Sequence, residues 1–114
     1  MPEIAEIKSE FREYGSGFVK LFKDEKSGLA RITLSNPEIK NAISGKMMCD
    51  FNDISHELAG DSQLRGLILT SDVSGSEKRI FCSGGDLITV RNIHDPEGGF
   101  KMATLMHDTF QRIR

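Results

Sequence analysis

The stretch IFCSGGDLITVR, residues 80–91, decides the predicted fold. Its first three residues form a short apolar run typical of a buried β-strand, two glycines interrupt the run, and LITVR follows as a short helical pattern. Glycines let a backbone approach a ligand closely, and a helix start presents N–H groups that have no partner within the helix. The stretch therefore predicts an α/β fold with a candidate binding site at the glycine turn.

The residues before this stretch predict a helix that crosses between parallel strands. Ser44 is placed to cap the helix, and Gly60 follows it at a position typical of a helix end. The uninterrupted run Leu67-Ile68-Leu69 indicates a strand buried on both faces, as in parallel sheets covered by helices. Apolar residues recur along the helix at helical spacing: Met47, Phe51, Ile54 and Leu58.

A β-hairpin and a short helix are predicted at the N-terminal end. The runs at 18–22 and 29–34 are rich in β-forming residues, and the polar stretch between them ends at Gly28, so an antiparallel hairpin is expected. Pro37 has no N–H for a strand ladder, so the second strand must end before it. A short helix is predicted before the hairpin, and Gly15 and Gly17 stop it; its apolar stripe consists of Ile4, Ile7, Phe11 and Tyr14. The inner face of the second strand would consist of Ala30, Ile32 and Leu34.

The C-terminal end predicts an amphipathic helix after residues 95–99. The helical period is still running where the sequence stops, without a glycine or proline to end it. Because a small sheet with open edges and an unfinished helix does not form a complete domain, we expect this sequence to be part of a longer protein. The apolar face of the helix consists of Met102, Leu105, Met106, Thr109, Phe110 and Ile113.

Length, charge and composition exclude several classes of protein. The chain has 114 residues, of which 38% are hydrophobic and 28% charged, so we expect one soluble globular domain at most. A net charge of -2 lacks the basic excess that nucleic-acid binding requires. Two cysteines are too few for a disulfide framework. No apolar run approaches 18 residues, so we expect no membrane partner. Because the N-terminus is acidic, we expect a location in the cytosol rather than in mitochondria. His56 lacks the second histidine of a zinc motif, and we expect no metal site.

The FCSGGDL stretch (81–87) leaves two interpretations open. Fixed N–H donors at its turn could stabilise a carbonyl oxygen that gains negative charge during a reaction. Alternatively, it is a plain strand-to-helix turn in which a glycine adopts positive φ and Asp86 caps the helix. The stretch SNPEIKNAIS (35–44) is likewise either a proline-ended loop or a ledge that binds a ligand.

The two stretches together resemble a known family. N-P-x-x-x-N-A-x-S at 36–44, a helix, a buried strand and then F-C-S-G-G-D-L are similar to the N-terminal half of the crotonase family, also called enoyl-CoA hydratase/isomerases. The resemblance covers residues 17–114 and implies an α/β fold of crotonase-like ββα units, N-terminal part only. Residues 1–16 would form a preceding helix, and the partial domain at 17–114 would end before the second oxyanion-hole turn of the family.

The resemblance also implies roles for individual residues. Gly85 would be catalytic, as the first of two backbone N–H donors to the thioester oxygen. Glu38 departs from the pattern, because many members carry a basic residue there. The implied substrate-binding residues shape the glycine turn (Gly84, Asp86), line the CoA and acyl side (Ser83, Leu87), or pack the nucleotide end of CoA (Glu38, Ile39, Lys40).

The function implied by the resemblance is the processing of acyl-CoA thioesters. The EIAEIKSEF helix, the NAISGKMM continuation and SGGDL are most similar to the branch that removes CO₂ from ethylmalonyl-CoA or methylmalonyl-CoA. An enoyl-CoA hydratase or isomerase is the alternative, and a non-catalytic fragment that binds full-length crotonase-type partners is another. No cofactor is expected, because coenzyme A is part of the substrate. Full-length relatives are expected to form trimers or hexamers, and this chain alone is expected to be inactive.

Overall fold

A computed structural model describes residues 3–73, 80–93 and 95–113 of the chain. Among these residues, no helix is both long enough and apolar enough to cross a bilayer. The predicted α/β class is confirmed. In chain order the elements are α1 (Ile4–Phe11), β1 (Phe18–Asp24), β2 (Leu29–Ser35), a 3₁₀ turn (Pro37–Ile39), α2 (Gly45–Ala59), β3 (Gly66–Ser71), α3 (Leu87–Asn92) and α4 (Pro96–Gln111).

The three strands form one sheet in the order β1-β2-β3. β1 and β2 form the predicted antiparallel hairpin, in which Leu21 lies opposite Ile32. β2 and β3 are parallel, with Ile32 opposite Leu69, and α2 connects them as the predicted crossover. This connection places the loop after β2 and the chain that leaves β3 at the same edge of the sheet.

Helix α2 packs its apolar stripe against the sheet. The Ser44 hydroxyl accepts a hydrogen bond from the Met47 N–H at 3.0 Å, which confirms the predicted cap. Gly60 ends the helix, but its φ is −89° and not the positive φ that a glycine often adopts after a helix. The cluster between sheet and helix consists of Val19, Ala30, Ile32, Leu34, Met47, Phe51 and Leu58, with Ile54 at its margin.

A second cluster joins α1 and α4 to the other side of α2. Ile7 and Phe11, from the predicted stripe of α1, are fully buried in it. They contact Met48 and Cys49 of α2 and Leu105 of α4. Helix α1 therefore packs on the rest of the chain, while the division of the chain at residues 16 and 17 stays a prediction.

Two predictions about strands are wrong. Residues 80–82 form no strand, because the backbone of this turn bonds to the loop after β2 instead of to a sheet. The run Leu67-Ile68-Leu69 is a strand, but it is not buried on both faces: Ile68 and Leu69 are 49% and 45% exposed. The reason is that β3 is the edge of the described sheet, and no helix of the described chain packs extensively on it.

Candidate functional site

The structure brings the two sequence motifs side by side. The Ser83 N–H donates to the Lys40 carbonyl at 3.1 Å, and the Ile43 N–H donates to the Gly84 carbonyl at 2.8 Å. The Asp86 N–H then donates to the Ile43 carbonyl at 2.9 Å, so Ile43 and Gly85 form an isolated parallel bridge. The loop at 36–44 and the turn at 81–87 are thus one structural unit.

The bridge determines where the Gly85 N–H points. Its two hydrogen bonds use the carbonyl of Gly84 and the N–H of Asp86, the neighbours of Gly85. In a parallel pairing, the residue between two bonded neighbours directs its own N–H and C=O away from the partner strand. Within residues 3–73, 80–93 and 95–113, the Gly85 N–H has no hydrogen-bond partner. It is a main-chain donor available to a ligand.

An apolar cavity lies next to this donor. Its volume is about 260 Å³, and Gly84 and Gly85 form part of its wall. Three methionines face it, and methionine side chains adapt to the shape of what they contact because they are unbranched and flexible. Such a site has room for a short hydrocarbon group beside a hydrogen-bond donor. The other lining residues are Ile43, Met48, Cys82, Met102 and Met106.

The turn has the positive-φ glycine and the aspartate cap that the second interpretation of the sequence expected, and the oxyanion role stays a prediction. Gly84 has φ of 119°, a conformation that side chains rarely allow, so a glycine is needed there. Asp86 is buried, and its carboxylate accepts from the Thr89 N–H at 3.2 Å and from the Thr89 hydroxyl at 2.9 Å. The Asp86 side chain therefore caps α3 and shapes the turn, and it is directed inward instead of toward a ligand.

All of the predicted substrate-binding residues except Asp86 are exposed. Glu38, Ile39 and Lys40 are exposed around the 3₁₀ turn, and the Ser83 hydroxyl donates to the Ile39 carbonyl at 3.3 Å. Lys40 itself has positive φ, at 57°. Leu87 is 73% exposed at the start of α3 and does not line the cavity. The structure thus brings Ser83 next to Ile39 and Lys40, residues to which the resemblance gave contacts with different parts of the ligand.

Asn41 is a structural residue of the site that the sequence did not identify. It is buried, with φ of 58°, and its amide oxygen accepts from the Asn36 N–H at 2.8 Å. Its amide nitrogen donates to the carbonyls of Asp72 at 2.7 Å and Ile80 at 3.1 Å. One side chain therefore connects the end of β2, the end of β3 and the start of the glycine turn. The only sequence signal was its place in the N-P-x-x-x-N motif.

The strongest electrostatic effects lie away from this turn. Ion pairing with Arg112 lowers the pKa of Asp108 to about 2, with a further contribution from the Asn52 amide. Burial raises the pKa of the Cys49 thiol to about 11, so this cysteine is a protonated core residue. Among the residues described, no group of three His, Cys, Asp or Glu side chains is arranged to hold a metal ion.

Known proteins share both the sequence and the fold. The enoyl-CoA hydratase/isomerase family matches residues 24–112. Ethylmalonyl-CoA decarboxylase of Xenopus laevis is 36% identical over 110 residues, covering 96% of this chain and 35% of the relative. The enzyme of the same name from Danio rerio is 34% identical over 108 residues, covering 94% of this chain and 34% of the relative.

A solved structure carries the same arrangement of elements. An enoyl-CoA hydratase of Mycobacterium smegmatis superposes with a TM-score of 0.71 at 26% identity, over 83% of this chain and 35% of that protein. The chain thus spans about a third of the length of the relatives it matches. Since the family match takes in β2, the glycine turn and α4 together, this chain belongs to the enoyl-CoA hydratase/isomerase family, the crotonases.

Proposed function

We propose that this chain contributes the first oxyanion donor of an acyl-CoA-processing site, and that the donor is the N–H of Gly85. The observation that carries the proposal is an N–H with no partner in the described chain, on a residue that lines an apolar cavity. A thioester oxygen that accepts from this N–H would place its acyl chain against Met102 and Met106. Glu38, Ile39 and Lys40 would lie toward the nucleotide end of coenzyme A.

The proposed reaction is the decarboxylation of ethylmalonyl-CoA or methylmalonyl-CoA. The bond between Cα and the carboxylate carbon breaks, CO₂ leaves, and the electron pair delocalises onto the thioester oxygen. A proton then adds to Cα, and ethylmalonyl-CoA becomes butyryl-CoA. An N–H directed at that oxygen stabilises the negative charge, and one such donor contributes about 2.7–4 kcal/mol in a measured enzyme. The support for this substrate is the name shared by relatives that are 34–36% identical to this chain.

The proposal also covers the cofactor, the cellular location and the oligomeric state. Coenzyme A would enter as part of the substrate, with no separate cofactor. A location in the cytosol is part of the proposal. The assembled enzyme would be a trimer or a hexamer, as the family resemblance implies.

Hydration or isomerisation of an enoyl-CoA is the second candidate function. It is favoured by the solved structure from Mycobacterium smegmatis, which is an enoyl-CoA hydratase. The same donor would serve it, because addition of water to an enoyl-CoA also places negative charge on the thioester oxygen. The two reactions differ in their products, so mass spectrometry separates them. Ethylmalonyl-CoA would give butyryl-CoA and CO₂, and crotonyl-CoA would give 3-hydroxybutyryl-CoA.

The experiment compares Gly85→Pro with Gly85→Ala in the full 114-residue chain. Proline removes the N–H. Alanine keeps it, and among the described residues its Cβ would come within 4 Å of Val90 Cγ2 alone, at 3.7 Å. We follow the Gly85 amide resonance of the wild type during titration with butyryl-CoA and with free CoA. Butyryl-CoA affinity is then measured by calorimetry for both variants, with circular dichroism as the check on folding.

The wild-type Gly85 resonance should move with butyryl-CoA and much less with free CoA. Gly85→Ala should bind like the wild type, and a folded Gly85→Pro should lose binding. The assignment of the donor is wrong if the folded proline variant binds butyryl-CoA with unchanged affinity. It is also wrong if free CoA moves the wild-type resonance as much as butyryl-CoA does.

A further inference from the structure

The segment between α1 and β1, residues 14–17, lies directly behind the glycine turn. Its carbonyl groups accept hydrogen bonds from the start of α2: the Lys46 N–H donates to the Tyr14 carbonyl at 3.0 Å, and the Ser44 hydroxyl donates to the Ser16 carbonyl at 2.6 Å. The first N–H groups of a helix have no partner within the helix. This segment therefore supplies a partner for α2 and is tied to the loop that carries Ile43.

Gly15 brings the segment into contact with the turn. It has φ of +83°, and a Cβ atom added there would lie 2.4 Å from Asp86 Oδ2 and 3.0 Å from Thr89 Oγ1. The same Cβ would lie 2.6 Å from Ser44 Cβ. A side chain at position 15 would thus displace the carboxylate that caps α3. Asp86 directly follows Gly85, so this displacement would act on the proposed donor.

Thr89 joins the same parts of the molecule from the other side. Its hydroxyl oxygen accepts from the Gly45 N–H at 3.0 Å, and it lies 2.9 Å from Asp86 Oδ2. The Tyr14 carbonyl lies 3.4 Å from the same oxygen, so the single hydroxyl proton is better placed for Asp86. Thr89 is buried, and no solvent can replace these contacts at low cost. One hydroxyl therefore connects the starts of α2 and α3.

The segment is fixed at both of its ends. On one side α1 is anchored by Ile7 and Phe11 in the second core cluster. On the other side the Val19 N–H of β1 donates to Asp50 of α2 at 3.2 Å. Residues 14–17 precede the family match, which begins at residue 24. They lie in front of this family match but within the stretch that aligns with the decarboxylase relatives, and they contact the part of the matched region that carries the site.

We infer that residues 14–17 position the oxyanion donor, with Gly15 and Thr89 as positioning residues that act on Gly85 through Asp86. The inference rests on the proposed function for its consequence in ligand binding. Its structural part can be measured without a ligand, because the chemical shift of the Gly85 amide depends on the direction and surroundings of its N–H. Neither Gly15 nor Thr89 lines the cavity, so neither is expected to touch the substrate.

The test compares two glycine substitutions that impose the same kind of strain at different places. Gly15→Ala acts behind the turn. Gly28→Ala is the control, because Gly28 has φ of +75° and its added Cβ would lie 2.7 Å from Arg65 Cγ and 3.0 Å from the Gln63 carbonyl, in the hairpin loop far from the site. A second pair is Thr89→Val, which removes the hydroxyl, and Thr89→Ser, which keeps it. For each variant we record the Gly85 amide resonance, urea unfolding and butyryl-CoA affinity.

Gly15→Ala and Thr89→Val should move the free-state Gly85 resonance and weaken butyryl-CoA binding about tenfold, which corresponds to about 1.4 kcal/mol. Gly28→Ala should lose stability but keep the resonance and the affinity, and Thr89→Ser should stay close to the wild type. The inference fails if Gly28→Ala moves the Gly85 resonance as much as Gly15→Ala does, or if Gly15→Ala leaves it in place. If the wild type does not bind butyryl-CoA, the proposed function fails, while the resonance still decides the positioning role.

Discussion

Replacement of Asn41 by alanine is the sharpest test of how the two motifs are joined. The Asn41 amide accepts from the Asn36 N–H and donates to the Ile80 carbonyl, 39 residues further along the chain. Alanine removes both contacts, together with the one to the Asp72 carbonyl, and leaves the Asn36 N–H and the Ile80 carbonyl without the side-chain partner. Position 41 has φ of 58°, in the left-handed region, which alanine adopts less readily than asparagine.

The expected loss of stability follows from these two effects. A buried polar group that loses its partner costs about 1–3 kcal/mol, so the N–H of Asn36 and the carbonyl of Ile80 together cost about 3 kcal/mol. The left-handed conformation adds about 1 kcal/mol for alanine. Asn41→Ala should therefore lower the free energy of unfolding by about 4 kcal/mol. Domains of this size have total stabilities of about 6–17 kcal/mol.

Urea unfolding followed by circular dichroism measures this loss. Asn41→Gly separates the two effects, because glycine tolerates positive φ and should lose about 1 kcal/mol less than alanine. Asn92→Ala is the control: its amide donates to the Ile88 carbonyl at 2.8 Å on the exposed side of α3, and its removal should change stability by about 0.5 kcal/mol or less. A loss below about 1 kcal/mol for Asn41→Ala would refute the view that this side chain holds the site together.

Two further substitutions test other parts of the structure. Asp108→Asn should destabilise the chain by about 2 kcal/mol at pH 7, because Arg112 holds the pKa of Asp108 at about 2, below the usual value near 3.9. Since the folded-state pKa is lowered, this contribution is complete above pH 4 and is lost as the pH falls toward 2. Urea unfolding of both proteins should therefore give converging stabilities near pH 2, and a gap that persists there would contradict the ion pair. Gly84→Ala should cost about 1–3 kcal/mol from its φ of 119° alone, since no atom of the described residues lies within 4 Å of the added Cβ. Gly99→Ala, with equally open space, should not destabilise, and equal losses in the two variants would contradict the backbone explanation.

The elements that the sequence predicted correctly are those whose signals are local. Proline at position 37 ends β2, Ser44 caps α2, and the apolar spacing of α2 matches the side that packs on the sheet. The glycine pair located the turn, because glycines are needed where a backbone adopts positive φ or approaches a ligand. Each of these conclusions depends on residues only a few positions apart.

The errors and omissions depend on partners that are distant in the sequence. The run at 80–82 has the composition of a strand, but a short apolar run does not specify its own partner, and the following turn bonds to the loop at 40–43. Asn41 and Thr89 resemble ordinary loop and helix residues. Their importance comes from groups 39 and 44 positions away, Ile80 and Gly45, which only the folded chain brings together.

The isolated bridge between Ile43 and Gly85 has a consequence for the dynamics of the molecule. The turn is bonded to a loop and not to the edge of the sheet, so its opening does not require any strand to separate. Segments attached in this way open locally with less free energy than global unfolding requires. The donor could therefore exchange between a competent and an open arrangement while β1, β2 and β3 remain paired, and ligand affinity would then respond to changes that leave the melting temperature unaltered.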